Sequence, residues 1–375
     1  MDDALTTREL AIGYHRNILI GEINIRLERG KILTLIGPNG AGKSTILKTI
    51  TRQLEPISGV VTISGKPVGM MPGKEFAKRT AVVLTERIAP ELMTCAEVVA
   101  MGRYPYTDMF GRLSDHDKSV VVSALEQVHA LDLAEREFTA LSDGQRQRIM
   151  LARAICQEPE IIVLDEPTAW LDIRYKIELL DILRTMARKK GTTIIMSLHE
   201  IDLAMKVSDD LLCLDGEKIT AYGTPEEILS SKAIESLYAI RNGSYNLLFG
   251  SVELPKPAGA PTVFVVAGNG KGTPFFRTLQ KLGIPFAAGI LMENDVDCQT
   301  AEMLSDHVIK SPCFEPITPD IIEKAKEALA SCRYVLDAGT PAGTLNKANR
   351  DLLQYADRKH IPVIRDLKGV HADAE

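Results

Sequence analysis

The stretch Gly37-Pro38-Asn39-Gly40-Ala41-Gly42-Lys43-Ser44 decides the fold. It satisfies the pattern G-x-x-x-x-G-K-[ST], a phosphate-cradling loop when it lies between a strand and a helix. The run ahead of it, Lys31-Ile-Leu-Thr-Leu-Ile36, is nearly all apolar, as a strand covered on both faces must be. The run behind it, from Thr45, puts Ile46, Leu47 and Ile50 on one helical face. Both flanks therefore meet the requirement. The glycines let backbone N–H groups curl around phosphate oxygens, and the helix N-terminus adds its positive end. Lys43 supplies a point charge to the β- and γ-phosphates, and the Ser44 hydroxyl is placed to ligate Mg²⁺.

A second constellation follows. Ile161-Ile-Val-Leu164 is an apolar strand that ends in Asp165 and Glu166. Magnesium is a hard ion that takes one or two protein carboxylates plus waters, and Asp165 at the strand end suits it. Glu166, one residue on, is placed to polarise an attacking water. His199 follows a third core strand, Thr193-Ile-Ile-Met196. Alone it would pass for a packed or surface histidine, and only the set gives it a role.

The chain has 375 residues, which fits two domains, with 45% hydrophobic and 25% charged residues. The first strands expected are Leu10–Tyr14, Ile18–Leu27 and Lys31–Ile36. A helical insertion is expected from about 89, reaching 133 by its periodicity and about 150 with the segment that follows. Strands resume at 161–164, 193–196 and 211–214. Pro255-Lys-Pro-Ala-Gly-Ala-Pro261 reads as part of a linker over 251–261. Strands and helices alternate beyond it, predicting a small parallel α/β domain over 262–375 after a first domain over 1–250. The formal charge of −6 argues against a nucleic-acid partner. Six scattered cysteines with no CxxC pair are read as reduced structural thiols. The acidic start Met1-Asp2-Asp3 is no secretory signal. Apolar runs such as that around Val121 fall short of the roughly 18 residues of a membrane span. A place in the cytoplasm is expected, with membrane association only through a partner.

Leu141-Ser142-Asp143-Gly144-Gln145 closely resembles the LSGGQ signature of ABC ATPases, and the resemblance covers about the first 250 residues. It implies an α/β fold with a RecA-like core, an antiparallel β subdomain and a helical subdomain over about 89–150, followed here by a small Rossmann-like parallel domain. It implies ATP and Mg²⁺, and a head-to-tail homodimer with two nucleotides sandwiched between subunits. Ser142, Gly144, Gln145 and the start of the helix expected over Arg146–Ile155 would then face the γ-phosphate held by the other subunit. Tyr14 looks like the aromatic that stacks on adenine, and Thr168-Ala-Trp-Leu-Asp172 resembles the D-loop that links protomers. His199 looks like the switch histidine. Two positions depart from the family. Asp143 replaces a glycine and is expected to point away from phosphate. Glu86, in Val82-Val-Leu-Thr85-Glu86, takes the place of a magnesium-contacting glutamine, and its carboxylate is expected at the metal with Ser44 and Asp165.

Glu97-Val-Val-Ala-Met-Gly-Arg103-Tyr-Pro105 resembles the ATPases of importers for iron–siderophore complexes, haem and cobalamin. The implied partners are integral membrane permease subunits and, indirectly, a substrate-binding protein, with the chain peripheral on the cytoplasmic face of the membrane. Two rival readings are a soluble ABC ATPase not coupled to a permease and a regulatory protein that binds nucleotide without turnover. The compact gap between Lys43 and Ser142 disfavours the first, and Glu166 with His199 disfavours the second. In the tail, Val263-Phe-Val-Val-Ala-Gly268-Asn-Gly270-Lys271-Gly272 is a strand leading into a glycine-rich turn. It is either an anion-binding turn, with Glu293 or Asp295 where a ribose acid would fall, or a purely structural one.

Overall fold

A computed structural model describes residues 3–84, 92–216, 218–230, 237, 244–246, 251–368 and 370. The chain divides into two compact units, Met1–Ala239 and Ile240–Glu375.

The first unit opens with antiparallel strands β1 (Asp3–Tyr14), β2 (Asn17–Ile23) and β3 (Arg26–Glu28), followed by the buried strand β4 (Ile32–Ile36). The single strand expected over Ile18–Leu27 is thus two. The reason lies in β1, where the buried Thr7 hydroxyl donates to the Ile23 carbonyl and accepts the Ile25 N–H at 2.8 Å each. That side chain satisfies the backbone where the ladder breaks. Helix α1 (Lys43–Ile50) follows the phosphate loop, and β5 (Ser58–Ile63) and β6 (Lys66–Pro67) extend the antiparallel sheet in the order β2-β1-β5-β6, with β3 on β1.

The second sheet carries the chemistry. After α2 (Gly73–Arg79) come β7 (Thr80–Val83) and then three helices, α3 (Cys95–Ala100), α4 (Asp115–Gln127) and α5 (Asp143–Cys156). The helical subdomain is expected over about 89–150; the three helices described there begin at Cys95, and α5 runs on to Cys156. Each starts at a capping box, built by Thr94 with Glu97, Ser114 with Asp117 and Ser142 with Gln145. Next come β8 (Ile161–Leu164), α6 (Ile173–Thr185), β9 (Thr193–Ser197), α7 (Ile201–Val207), β10 (Asp210–Leu214), β11 (Ile219–Gly223) and α8 (Pro225–Ser230). The sheet order is β11-β10-β4-β9-β8-β7, parallel except for β11. Strand β9 therefore lies between the phosphate-loop strand and the strand ending at Asp165.

In the second unit, β12 (Ser244–Asn246) and β13 (Ser251–Glu253) form a hairpin, and β14 (Val263–Val266) starts a five-stranded parallel sheet. With β15 (Phe286–Met292), β16 (His307–Ser311), β17 (Tyr334–Asp337) and β18 (Val363–Ile364), its order is β16-β15-β14-β17-β18. Helices Thr273–Lys281, Val296–Leu304, Pro319–Ala330 and Lys347–Arg358 connect the strands. The division falls ahead of the expected boundary at 250, and the expected linker 251–261 is tied down. Glu253, 1% exposed, is paired with Arg277, and Lys256 with Asp306 at 2.8 Å. Five of the six cysteines are buried, and burial pushes the Cys156 and Cys213 thiols up to about 12, so both are poor nucleophiles.

Candidate functional site

The phosphate loop leaves β4 at Gly37, whose φ of +151° and close approach to β10 both require glycine: a Cβ there would run into the Leu214 carbonyl. The loop closes on Lys43, whose Nζ donates to the Gly37 carbonyl at 2.7 Å and the Pro38 carbonyl at 3.0 Å. Burial lowers the Lys43 pKa, while the nearby Glu166 and Asp165 carboxylates oppose that shift. Asn39, Gly40, Ala41 and Gly42 complete the loop. Ser44 is half-buried in the first turn of α1 and Thr45 is buried. Tyr14, half exposed at the end of β1, places its hydroxyl 3.3 Å from the Thr45 Oγ1, beside the loop.

Across the sheet, β8 delivers Asp165, which is buried, and Glu166, whose φ of +49° is unusual for a residue with a side chain. His199 Nε2 lies 2.7 Å from Glu166 Oε1, a distance at which the ring N–H donates to the carboxylate. The Glu166 and His199 side chains are 28% and 40% exposed, so the pair is open to solvent on one side. The structure thus brings Glu166 and His199 into contact and sets both carboxylates within electrostatic reach of Lys43. The Ser44 hydroxyl and the Asp165 carboxylate are hard oxygen donors of the kind magnesium takes. Among the described residues no group of three or more His, Cys, Asp or Glu is arranged to hold a metal. An ion resting on few protein oxygens and on substrate phosphates is the usual magnesium arrangement. Glu86 lies outside the described residues.

The signature segment is self-contained in one chain. Ser142 caps α5, accepting the Gln145 N–H at 3.3 Å, while the Gln145 side chain accepts the Ser142 N–H at 3.1 Å. Asp143 is engaged by Arg146 at 3.5 Å. Gly144 faces the ring of Tyr175, where a Cβ would sit 3.2 Å from Tyr175 Cδ2. Tyr175 belongs to the first turn of α6, which Asp172 caps by accepting its N–H at 3.1 Å. Trp170, in the D-loop-like segment 168–172, is 82% exposed. Sequence reasoning missed Tyr175; its signal was its place in the turn capped by Asp172. It also missed Glu200, whose carboxylate accepts from Thr168 at 2.9 Å and pairs with Lys176, joining the turn after His199 to the segment 168–176.

Arg103, from the segment that resembled chelate importers, is structural. Only 2% exposed, it donates to Asp117 at 2.8 Å, the Cys156 carbonyl at 2.9 Å and Glu158 at 2.7 Å, and lies over the Tyr106 ring. It locks α4 to the end of α5.

In the tail, the glycine-rich turn already holds an anion of its own. The fully buried Asp297 accepts the Gly272 and Thr273 N–H groups at 2.8 Å each and the Thr273 hydroxyl at 2.8 Å. Asp295 accepts the Asn269 N–H at 2.6 Å. The amides that would cradle a phosphate at this helix start are bonded to carboxylates, which favours the structural reading of the turn.

The ABC transporter family profile matches residues 20–169, and that of the MJ0874 family matches residues 286–372. An uncharacterized ABC transporter ATP-binding protein of Methanocaldococcus jannaschii is 44% identical over 278 residues, covering 74% of this chain and 96% of that protein. An iron(3+)-hydroxamate import ATP-binding protein of Bacillus subtilis is 38% identical over 238 residues, 64% of this chain and 88% of that protein. A cobalamin import ATP-binding protein of Halobacterium salinarum is 31% identical over 290 residues, 76% of this chain and 72% of that protein. Among solved structures, an inward-facing transporter described as of metal-chelate type matches at TM-score 0.56 and 30% identity, over 63% of this chain and 89% of that one. No helix among the described residues is long and apolar enough to cross a membrane. A phosphate loop, an acidic pair and a histidine at the ends of parallel strands of one sheet, with a capped helix at the signature-like segment and relatives matched over 72–96% of their own length, lead to one conclusion: the chain belongs to the ATP-binding proteins of ABC transporters and is an ATPase of that family.

Proposed function

We propose that this chain powers import of a metal chelate, either a ferric siderophore, haem or cobalamin, through a separate permease. The observation that carries the ATPase half is the contact of His199, after β9, with Glu166, after β8, at 2.7 Å, with Asp165 and Glu166 both acting electrostatically on Lys43 of the phosphate loop. The cargo half rests on the import proteins it is similar to.

In this reading ATP is held by the backbone of residues 37–45, with Lys43 on its phosphates and Tyr14 against its adenine. Ser44 and Asp165 would hold Mg²⁺, which supplies charge neutralisation at the phosphates. A second copy of the chain brings Ser142, Gly144 and the start of α5 to the γ-phosphate, since a helix N-terminus with available N–H groups favours an anion. Glu166 takes a proton from the attacking water, and His199 stabilises charge on the γ-phosphate. Those roles require Glu166 and His199 to part, because each uses in catalysis the atoms it now spends on the other. The helical subdomain exposes Met101, Tyr104, Met109 and Phe110, an apolar set suited to a permease contact. The chain would then lie peripherally on the cytoplasmic face of the membrane, with a substrate-binding protein upstream of the permease.

Glu166→Gln tests the core of this. Turnover should fall by roughly two to four orders of magnitude while ATP stays bound. An ATP-dependent homodimer should then accumulate in light scattering. Wild-type turnover in that variant would refute the assigned base. For cargo, ATPase activity in vesicles with permease and binding protein should rise with one class of chelate; equal response to none of them would refute the import reading.

A further inference from the structure

Strand β9 contributes more than the histidine that follows it. Its register pairs Leu35 with Ser197 on one side and Leu164 with Met196 on the other. Ser197 therefore stands beside Asp165, one step past the end of β8. It is fully buried. Its hydroxyl donates to Asp165 Oδ1 at 2.7 Å and accepts the Glu166 N–H at 2.8 Å. One hydroxyl thus engages the side chain of the proposed metal ligand and the backbone of the proposed base.

The position does not ask for serine on packing grounds. Its neighbours in the strand, Ile194, Ile195 and Met196, are all apolar and fully buried, and β-branched apolar residues fit such a strand better. A buried hydroxyl costs free energy unless both its functions are satisfied. Here they are, by the two residues that carry the chemistry. The bond to the Glu166 N–H also holds that peptide at φ +49°, a conformation that persists only where the surroundings fix it. His199, two residues further along, meets the side chain of the same Glu166.

We propose that Ser197 is a positioning residue for ATP hydrolysis. It orients the Asp165 carboxylate and fixes the backbone angle from which Glu166 reaches the attacking water. The inference rests on the roles given above to Asp165 and Glu166.

The test uses the full chain with Ser197→Ala, Ser197→Thr (which keeps the hydroxyl) and Glu166→Gln. Two readouts are needed: steady-state kcat and KM for ATP, and binding of Mn²⁺ to the ADP-loaded protein followed by electron paramagnetic resonance, which involves no turnover. Losing two hydrogen bonds, one to a charged acceptor, should lower kcat about 10- to 100-fold in Ser197→Ala. KM should stay within about twofold, and Mn²⁺ affinity should fall several-fold; Ser197→Thr should recover both. A Ser197→Ala protein with unchanged kcat and Mn²⁺ affinity, beside an inactive Glu166→Gln, would overturn the inference and leave the roles of Asp165 and Glu166 standing. Equal losses in Ser197→Ala and Ser197→Thr, with a lowered melting temperature in both, would reduce Ser197 to packing and overturn it too. Normal turnover in Glu166→Gln would refute the underlying reading and remove the inference with it.

Discussion

Replacing Asp297 by alanine should loosen the start of the tail domain's first helix, because this carboxylate does internally what a bound anion would do from outside. It is fully buried and receives three bonds, from the Gly272 N–H, the Thr273 N–H and the Thr273 hydroxyl, each 2.8 Å long. A hydrogen bond to a charged acceptor contributes about 1.5–3 kcal/mol, and a buried donor left unmade costs about 1–3 kcal/mol. The three bonds share one acceptor and are not additive, so the expected loss is about 3–5 kcal/mol. Each 1.36 kcal/mol is tenfold, so local opening should become roughly two to four orders of magnitude more frequent. Hydrogen exchange in the full chain, read on peptides spanning 263–281, measures this directly, while peptides from the first unit serve as the unchanged reference. Acetate or inorganic phosphate should slow exchange again in Asp297→Ala by occupying the vacated place at the helix start, and should leave the wild type unaffected. An exchange rate within tenfold of wild type would refute the argument. So would protection of these wild-type amides by ATP or ADP, since it would mean that nucleotide competes successfully with an internal carboxylate.

The remaining expectations concern the first unit. Arg103→Leu leaves the buried Asp117 carboxylate with only its Ser114 bonds, and the loss of its cation should cost about 1–3 kcal/mol; urea unfolding followed by exchange in residues 95–156 should show it, and unchanged stability would count against the network. The Asp117 carboxyl is held down to about 2 by its bonds to Ser114 and by Arg103. Because its folded pKa lies below the unfolded value of 3.8, its stabilising effect is complete above about pH 5 and is lost as pH falls towards about 2. Acid unfolding of that region should therefore fall in this window, and an acid midpoint that Arg103→Leu leaves in place would contradict it. Tyr14→Ala should weaken ATP binding several-fold with little change in turnover at saturation, and equilibrium binding with unaltered affinity would remove Tyr14 from the site.

The first unit was legible because its chemistry sits at strand ends with strong local signals. A fully apolar strand, a glycine-rich turn and a helical face placed Lys43; an apolar run ending in two acids placed Asp165 and Glu166. What stayed hidden depends on register. Ser197 and Asp165 are 32 residues apart, and only the pairing of β8 with β9 makes them neighbours. Glu200 is likewise silent in sequence, because its importance comes from the Thr168 and Lys176 that other elements present to it, and the place of Tyr175 in a capped turn does not announce the Gly144 it faces. The split of the expected strand Ile18–Leu27 has the same cause: Thr7, on another strand, takes up the backbone groups at the break.

The two glycine-rich turns of this chain show what sequence pattern alone leaves undecided. Both follow a buried parallel strand and both open a helix, so by local physics each is an anion site. In the first, the lysine of the pattern is built into the loop and donates to its carbonyls, with two nearby carboxylates that oppose the lowering of its pKa by burial. In the second, Lys271 is exposed, and the N–H groups at the helix start are bonded to Asp297, 24 and 25 residues downstream. A cation in the loop reserves the turn for an anionic ligand, whereas a buried carboxylate donated by the next helix uses the same amides to join two elements of the fold. The sign of the buried charge facing the turn, more than the glycines, separates a nucleotide site from a hinge of structure here, and that charge comes from a neighbouring element that only the fold brings to the loop.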